Sequence, residues 1–260
     1  MEGITSKDGT PIAFDQLGEG PPIIVVAGAS CDRAIDAPLA KALAEHFTVL
    51  NHDRRGRGDS GDTAPYAVAR EVEDLHALIE AAGGTAALLG LSSGAVLAAE
   101  AAASGLPVTR LIMWEPPFSI DPEGVQQAAA YTARLTELLG ADRLDDALAL
   151  FMRQVGLPGE AIAGARQSPY WAAGLSLAPT LAYDAAIMGD NTVPAERFGV
   201  ITVPTLVLAG SASPPFMVEA ARRAAAAVPG ARFDVLDGQD HNVAPDAITP
   251  VVAEFAGRRA

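Results

Sequence analysis

Gly90-Leu91-Ser92-Ser93-Gly94 sets a serine between two glycines, with the apolar run Thr85–Leu89 ahead of it and the alanine-rich stretch Ala95–Ala103 behind. The first run has strand length and the second reads as helix. Gly-x-Ser-x-Gly between a strand and a helix is the pattern of a nucleophile elbow, a turn so tight that the serine takes strained backbone angles. Small residues must flank it so that the helix can pack against the strand. A serine hydroxyl is a poor nucleophile until a base takes its proton and a third group orients that base. His241 is the natural base, because it follows the last strand within Gly238-Gln239-Asp240-His241 and so reaches the sheet edge where Ser92 lies. His46, His52 and His76 lie in or beside earlier elements, and His76 reads as a surface or boundary residue of its helix.

Such a serine and histidine need a frame. Residues 3–6 and 11–17 read as a hairpin about Lys7-Asp8-Gly9-Thr10. Ile23–Ala27 is a continuous apolar run, as expected of a strand buried on both faces, and Phe47–Asn51, Val108–Trp114, Pro204–Gly210 and Arg232–Leu236 are further strands. Helical periodicity covers 36–46, 66–82, 216–228 and 246–257. Strands alternating with helices imply an α/β fold: a mostly parallel, doubly wound sheet with helices on both faces. The alternation stops at 117–197, which reads as a helical cap inserted between core segments 1–116 and 198–260, over the carboxyl ends of the strands.

Composition narrows the function. The 260 residues carry 32 acids against 18 lysines and arginines, a net charge of −14 that argues against nucleic-acid and anionic-membrane partners. Ala81–Ala99 is uncharged and long enough to imitate a membrane span, but its glycines and change of period fit a strand, elbow and buried helix better. Cys31 is the only cysteine, so no internal disulfide can form, and the first residues lack a signal-peptide pattern. A cytoplasmic protein, monomer or homodimer, is expected. The loop Asp53-Arg54-Arg55-Gly56-Arg57-Gly58-Asp59-Ser60-Gly61 lacks a phosphate-binding signature and reads as a turn whose arginines pair with neighbouring acids.

Taken together, Asp53–Ser60, the Gly90–Gly94 elbow, Pro204–Gly210 and Gly238–His241 resemble the α/β-hydrolase family over essentially the whole chain, in the family's order. The resemblance implies a triad running Ser, acid, His along the chain. Most members place an aspartate after the strand equivalent to Pro204–Gly210, where this chain has Ser211-Ala212-Ser213-Pro214-Pro215 and no carboxylate. Glu115, at the end of the strand after the elbow helix, is then the expected acid, as in certain haloalkane dehalogenases and the zearalenone lactonases; Asp237 and Asp240 are the fallback. The resemblance also implies an oxyanion hole from the backbone of Ser93 and of Ala29, or of Gly28. Ser30, Phe118, Tyr170, Trp171 and Ser213 are expected at the substrate, with Cys31 a pocket or buried residue.

These residues specify cleavage of a carboxylic ester or lactone of an apolar small molecule, with no cofactor and no metal. Two other uses of the scaffold stay open: a cofactor-free peroxidase, lyase or cyclase, and a small-molecule binding protein with a residual triad.

Overall fold

A computed structural model describes residues 1–168 and 170–257, with Tyr170 described through its backbone alone. Strand β1 (Glu2–Thr5) turns back into β2 (Pro11–Leu17), as the Asp-Gly signal predicts, and β3 (Pro22–Val26) leads to α1 (Ala37–Leu43) and β4 (Thr48–His52). Next come α2 (Val68–Ala81), β5 (Ala86–Leu91), α3 (Ser93–Ala103) and β6 (Val108–Trp114). Among the described residues, five α-helices then follow without a strand: α4 (Pro122–Gly140), α5 (Leu144–Gln154), α6 (Gly159–Ala165), α7 (Tyr170–Leu177) and, after a 3-10 turn at Ala178–Thr180, α8 (Leu181–Met188). The short α9 (Ala195–Phe198) returns the chain to β7 (Thr205–Gly210), α10 (Pro215–Ala227), β8 (Arg232–Leu236) and α11 (Pro245–Ala256).

The eight strands of the described residues form one sheet in the order β1-β2-β4-β3-β5-β6-β7-β8. Strand β2 is antiparallel to β1 and β4, and every later pairing is parallel. The continuous apolar runs sort themselves by the two-residue period of a strand. Ile24, Val26, Leu88, Leu111 and Met113 pack on one face with α2, α3 and α10, while Ile23, Val25, Leu89, Ile112 and Trp114 pack on the other with α1 and α11. A parallel sheet must be covered on both sides in this way, which is why these strands show no alternation of polarity.

The uncharged run through Ala99 is β5, the elbow and the buried start of α3, and among the described residues no helix is long and apolar enough to cross a membrane. Its glycines are steric necessities. A Cβ on Gly94 would lie 2.1 Å from the Val26 carbonyl oxygen, and one on Gly90 would lie 2.4 Å from the Ala95 Cα. The helices between β6 and β7 build a third cluster of their own from Leu135, Leu138, Leu148, Ile162, Trp171 and Leu181. Helix α8 closes this segment against α3 and α2.

Candidate active site

The elbow forms where the spacing puts it. Ser92 joins β5 to α3 at φ 54°, ψ −124°, a left-handed conformation rare for a residue with a Cβ. Its amide continues the sheet by donating to the Trp114 carbonyl at 2.9 Å, so the strain is held by the β5–β6 pairing on one side and by α3 on the other. A strained side chain at the carboxyl edge of a sheet is exposed to whatever lies above that edge.

Two residues converge there from distant parts of the chain. Glu115 follows β6, also at positive φ (43°), and is fully buried. Its Oε2 lies 2.7 Å from His241 Nδ1, and its Oε1 accepts the Gly210 amide at 2.8 Å. Burial alone would raise the Glu115 pKa. His241 and the Gly210 N–H outweigh it and hold the carboxyl below the ordinary glutamate range. The His241 backbone is fixed by the Trp114 indole N–H, which donates to its carbonyl at 3.0 Å. Gly210 admits the loop closely: a Cβ there would lie 2.1 Å from the Gln239 carbonyl oxygen. With Nδ1 committed to Glu115, Nε2 is the ring nitrogen left for proton transfer. The Ser92 hydroxyl makes no hydrogen bond to a described residue.

The fallback acids are occupied locally. Asp237 accepts the Ser211 hydroxyl and Asp240 accepts the Asn242 amide. Of the other histidines, His52 is buried against the Val25 carbonyl, while His46 and His76 are exposed, the first edge-on to Phe47 and the second beside Glu80 on the outer face of α2.

Gly28 brings the loop after β3 against the elbow, since a Cβ on it would lie 3.1 Å from Ser92 Cβ. Ser93 is the first residue of α3, where a helix leaves its amides without a partner. Among the described residues, neither the Ser93 nor the Ala29 N–H is taken by a protein acceptor. Ser30 follows at φ 56°, and Cys31 gives its thiol to the Ala29 carbonyl. Burial, then the charge of Asp36, push that thiol up to about 12, far from a reactive thiolate.

Two expected contact residues belong to packing instead. Phe118 is 1% exposed and meets Phe198 edge-on in the core beneath α3, because the chain leaving Pro116-Pro117 turns inward. Trp171 lies in the core of the helical segment, its indole N–H bonded to Asp145 at 2.8 Å and its ring under Arg166. The Tyr170 side chain lies outside the described residues. Ser213 is buried, and its hydroxyl has no hydrogen-bond partner among the described residues.

A model of the alpha/beta hydrolase family matches residues 23–254. The chain belongs to the alpha/beta hydrolase family. An alpha/beta hydrolase from Sphaerobacter thermophilus is 50% identical to it with a TM-score of 0.88, the match covering 98% of this chain and 100% of that one. A hydrolase from Pseudomonas aeruginosa is 25% identical with a TM-score of 0.78, over 99% and 98% of the two chains. An enol-lactonase from Burkholderia xenovorans, 24% identical with a TM-score of 0.72 over 99% and 100%, shares the fold.

In this alpha/beta hydrolase the arginines of the 53–61 loop pair with acids, as expected, but their partners reach further than neighbours. Arg54 forks onto Glu71 at 2.7 and 2.8 Å, and Arg55 forks onto Asp74 at 2.8 and 2.7 Å while also reaching Asp8. Arg54 and Arg57 both meet Asp184 of α8, a residue that motif reading passed over. The available signal was a single carboxylate in the otherwise apolar helix Leu181–Met188.

Asp36, just before α1, is the buried acid with least support. It is 8% exposed, and its Oδ2 has no hydrogen-bond partner among the described residues. Burial, then the charge of Asp32, push its pKa up to about 7, against a smaller lowering by Arg57. An acid raised on folding costs nothing while protonated in both states. Its cost grows as pH climbs from the unfolded value near 4 to the folded one and is constant above that. Asp36→Asn should therefore stabilise the protein by roughly 2–4 kcal/mol at pH 8 and have little effect near pH 4. Thermal unfolding at the two pH values checks this, and an equal shift at both would refute it.

Proposed function

We propose that this chain hydrolyses a carboxylic ester or lactone of an apolar small molecule through a Ser92-His241-Glu115 triad and an acyl-enzyme. The observation that carries the reading is the 2.7 Å contact between His241 Nδ1 and a fully buried Glu115, beside a serine on a strained strand-to-helix turn. His241 Nε2 takes the Ser92 proton as Oγ attacks the substrate carbonyl, and Glu115 stabilises the imidazolium that forms. The Ser93 and Ala29 amides receive the oxyanion. The tetrahedral intermediate collapses as His241 returns the proton to the leaving alcohol. Water, deprotonated by the same nitrogen, then releases the acid and frees Ser92.

Residues 117–197 serve as a cap over this edge of the sheet and shape the substrate pocket. A lactone and an ester present the same carbonyl to this machinery, and a lactone differs in keeping its leaving alcohol tethered to the acyl group. Treating the protein with a fluorophosphonate probe and mapping the adduct tests the reading. Labelling of Ser92, with turnover of at least one member of a panel of acyl esters and lactones, is the expected result. An intact His241 with no label on Ser92 would defeat it, and labelling without turnover of any panel member would favour a lyase or a binding role.

A further inference from the structure

We propose that Asp184, on helix α8, is a positioning residue that aims both oxyanion amides at the carbonyl attacked by Ser92; the inference rests on the hydrolytic reading above. Asp184 is 5% exposed and uses both carboxylate oxygens. Its Oδ1 accepts the Ser93 hydroxyl at 2.8 Å and Arg54 Nη1 at 2.8 Å, and its Oδ2 accepts Arg57 Nη2 at 2.7 Å. The two arginines pass the constraint to the other loop. Arg57 Nη1 donates to the Gly28 carbonyl at 2.6 Å and the Cys31 carbonyl at 3.2 Å, and Arg54 Nη1 donates to the Ala27 carbonyl at 3.2 Å.

The Gly28 carbonyl and the Ala29 N–H belong to one planar trans peptide and point in opposite directions. A guanidinium gripping that carbonyl therefore turns the Ala29 N–H the other way. Asp184 grips the second donor through the Ser93 side chain, which anchors the first residue of α3. One carboxylate of the helical segment thus holds two peptide units that come from different strands. Arg54 is kept in place from behind by its fork onto Glu71, whose other neighbour is the Tyr66 hydroxyl at 2.8 Å. Burial works against the charge on Asp184, but Arg57 and Arg54 more than compensate and keep its carboxyl below the ordinary range. An acid that stays ionised inside the protein can hold both guanidinium groups.

The test compares wild type, Asp184→Asn and Arg57→Lys with p-nitrophenyl butyrate as substrate and a trifluoromethyl ketone as a mimic of the oxyanion. Misaimed donors cost transition-state binding and leave ground-state binding nearly intact. For Asp184→Asn, kcat should fall about 10–100-fold with KM within about twofold, and the ketone should bind more weakly by a similar factor. Arg57→Lys keeps the charge but lacks the two nitrogens that join Asp184 to the Gly28 carbonyl, so it should show the same split, and it carries the test if Asp184→Asn does not fold. Folded variants with unchanged kcat and ketone affinity would overturn the inference, as would a loss confined to KM. The wild type separates the two readings: if its Ser92 takes the fluorophosphonate and the variants behave as wild type, only the role of Asp184 falls. If wild-type Ser92 takes no label, both fall.

Discussion

Ser92→Ala is expected to lower kcat on any ester this protein accepts by about 10⁶-fold, the scale on which serine hydrolases lose rate when the nucleophile is deleted. A small residual rate over water should survive, because the oxyanion amides and the binding site do not depend on the hydroxyl. The fold should survive as well. The Ser92 hydroxyl makes no hydrogen bond to a described residue, so its removal strands no buried partner. The positive φ of 54° is equally strained for alanine, and the elbow is held by the Ser92 amide on Trp114 and by the tight approach of Gly94 to Val26, neither of which the substitution touches. Thermal unfolding should stay within a few degrees of wild type. The comparison that matters is Ser93→Ala, because the two hydroxyls are adjacent in sequence and only one stands at the elbow. The Ser93 hydroxyl is bound to Asp184 inside the protein, so its loss should disturb the aim of the donors without removing the nucleophile. If Ser92→Ala retained near-wild-type turnover, the triad reading would be wrong at its first residue.

The sheet was legible because its central strands β3 and β5 are uninterrupted apolar runs and helices α1, α2, α10 and α11 show a helical period. Ile23–Val26 is 0% exposed from end to end, so nothing competes with the strand reading there. The elbow was legible because sterics force a sequence pattern: no side chain fits at Gly90 or Gly94. Glu115 stood out because Ser211–Pro215 holds no carboxylate, and its Oε2 lies 2.7 Å from His241 Nδ1. What could not be read is pairing across long separations. Arg54 and Asp184 stand 130 positions apart, and no local rule links them. The Trp114 indole that steadies His241 spans 127 positions and reads in sequence as one more core aromatic. The same blindness placed Phe118 and Trp171 at the substrate. An aromatic beside a presumed site has no mark that separates a ligand contact from a core residue, and packing against Phe198 and the bond to Asp145 decide it here.

Glu115→Gln should lower kcat by about 10⁴-fold with little change in KM, because it changes which nitrogen of His241 holds the proton. In the native site the carboxylate can only accept, so His241 must present an N–H from Nδ1 and keep Nε2 free as the base. A glutamine keeps the size and can keep its oxygen on the Gly210 amide, as Oε1 does now. It then turns its NH₂ toward His241, where the ring can meet it only with an unprotonated Nδ1. The proton moves to Nε2, and the base is lost without any displacement of atoms. Flipping the amide rescues the tautomer but sets the NH₂ against the Gly210 N–H, two donors facing each other in a buried site. Electrostatics add a second loss, since the imidazolium formed during attack no longer has a carboxylate beside it. The pH dependence of stability carries the same signature. The Glu115 carboxyl is held below its ordinary value on folding, so in wild type its contribution is present above the unfolded glutamate pKa near 4.3 and disappears as pH falls through the lower folded value. The glutamine variant should lack that acid-side decline while showing the kinetic defect at every pH at which both proteins are folded. Undiminished esterase activity in Glu115→Gln would remove Glu115 from the triad and leave His241 without an orienting acid, since Asp237 and Asp240 are already bonded to Ser211 and Asn242.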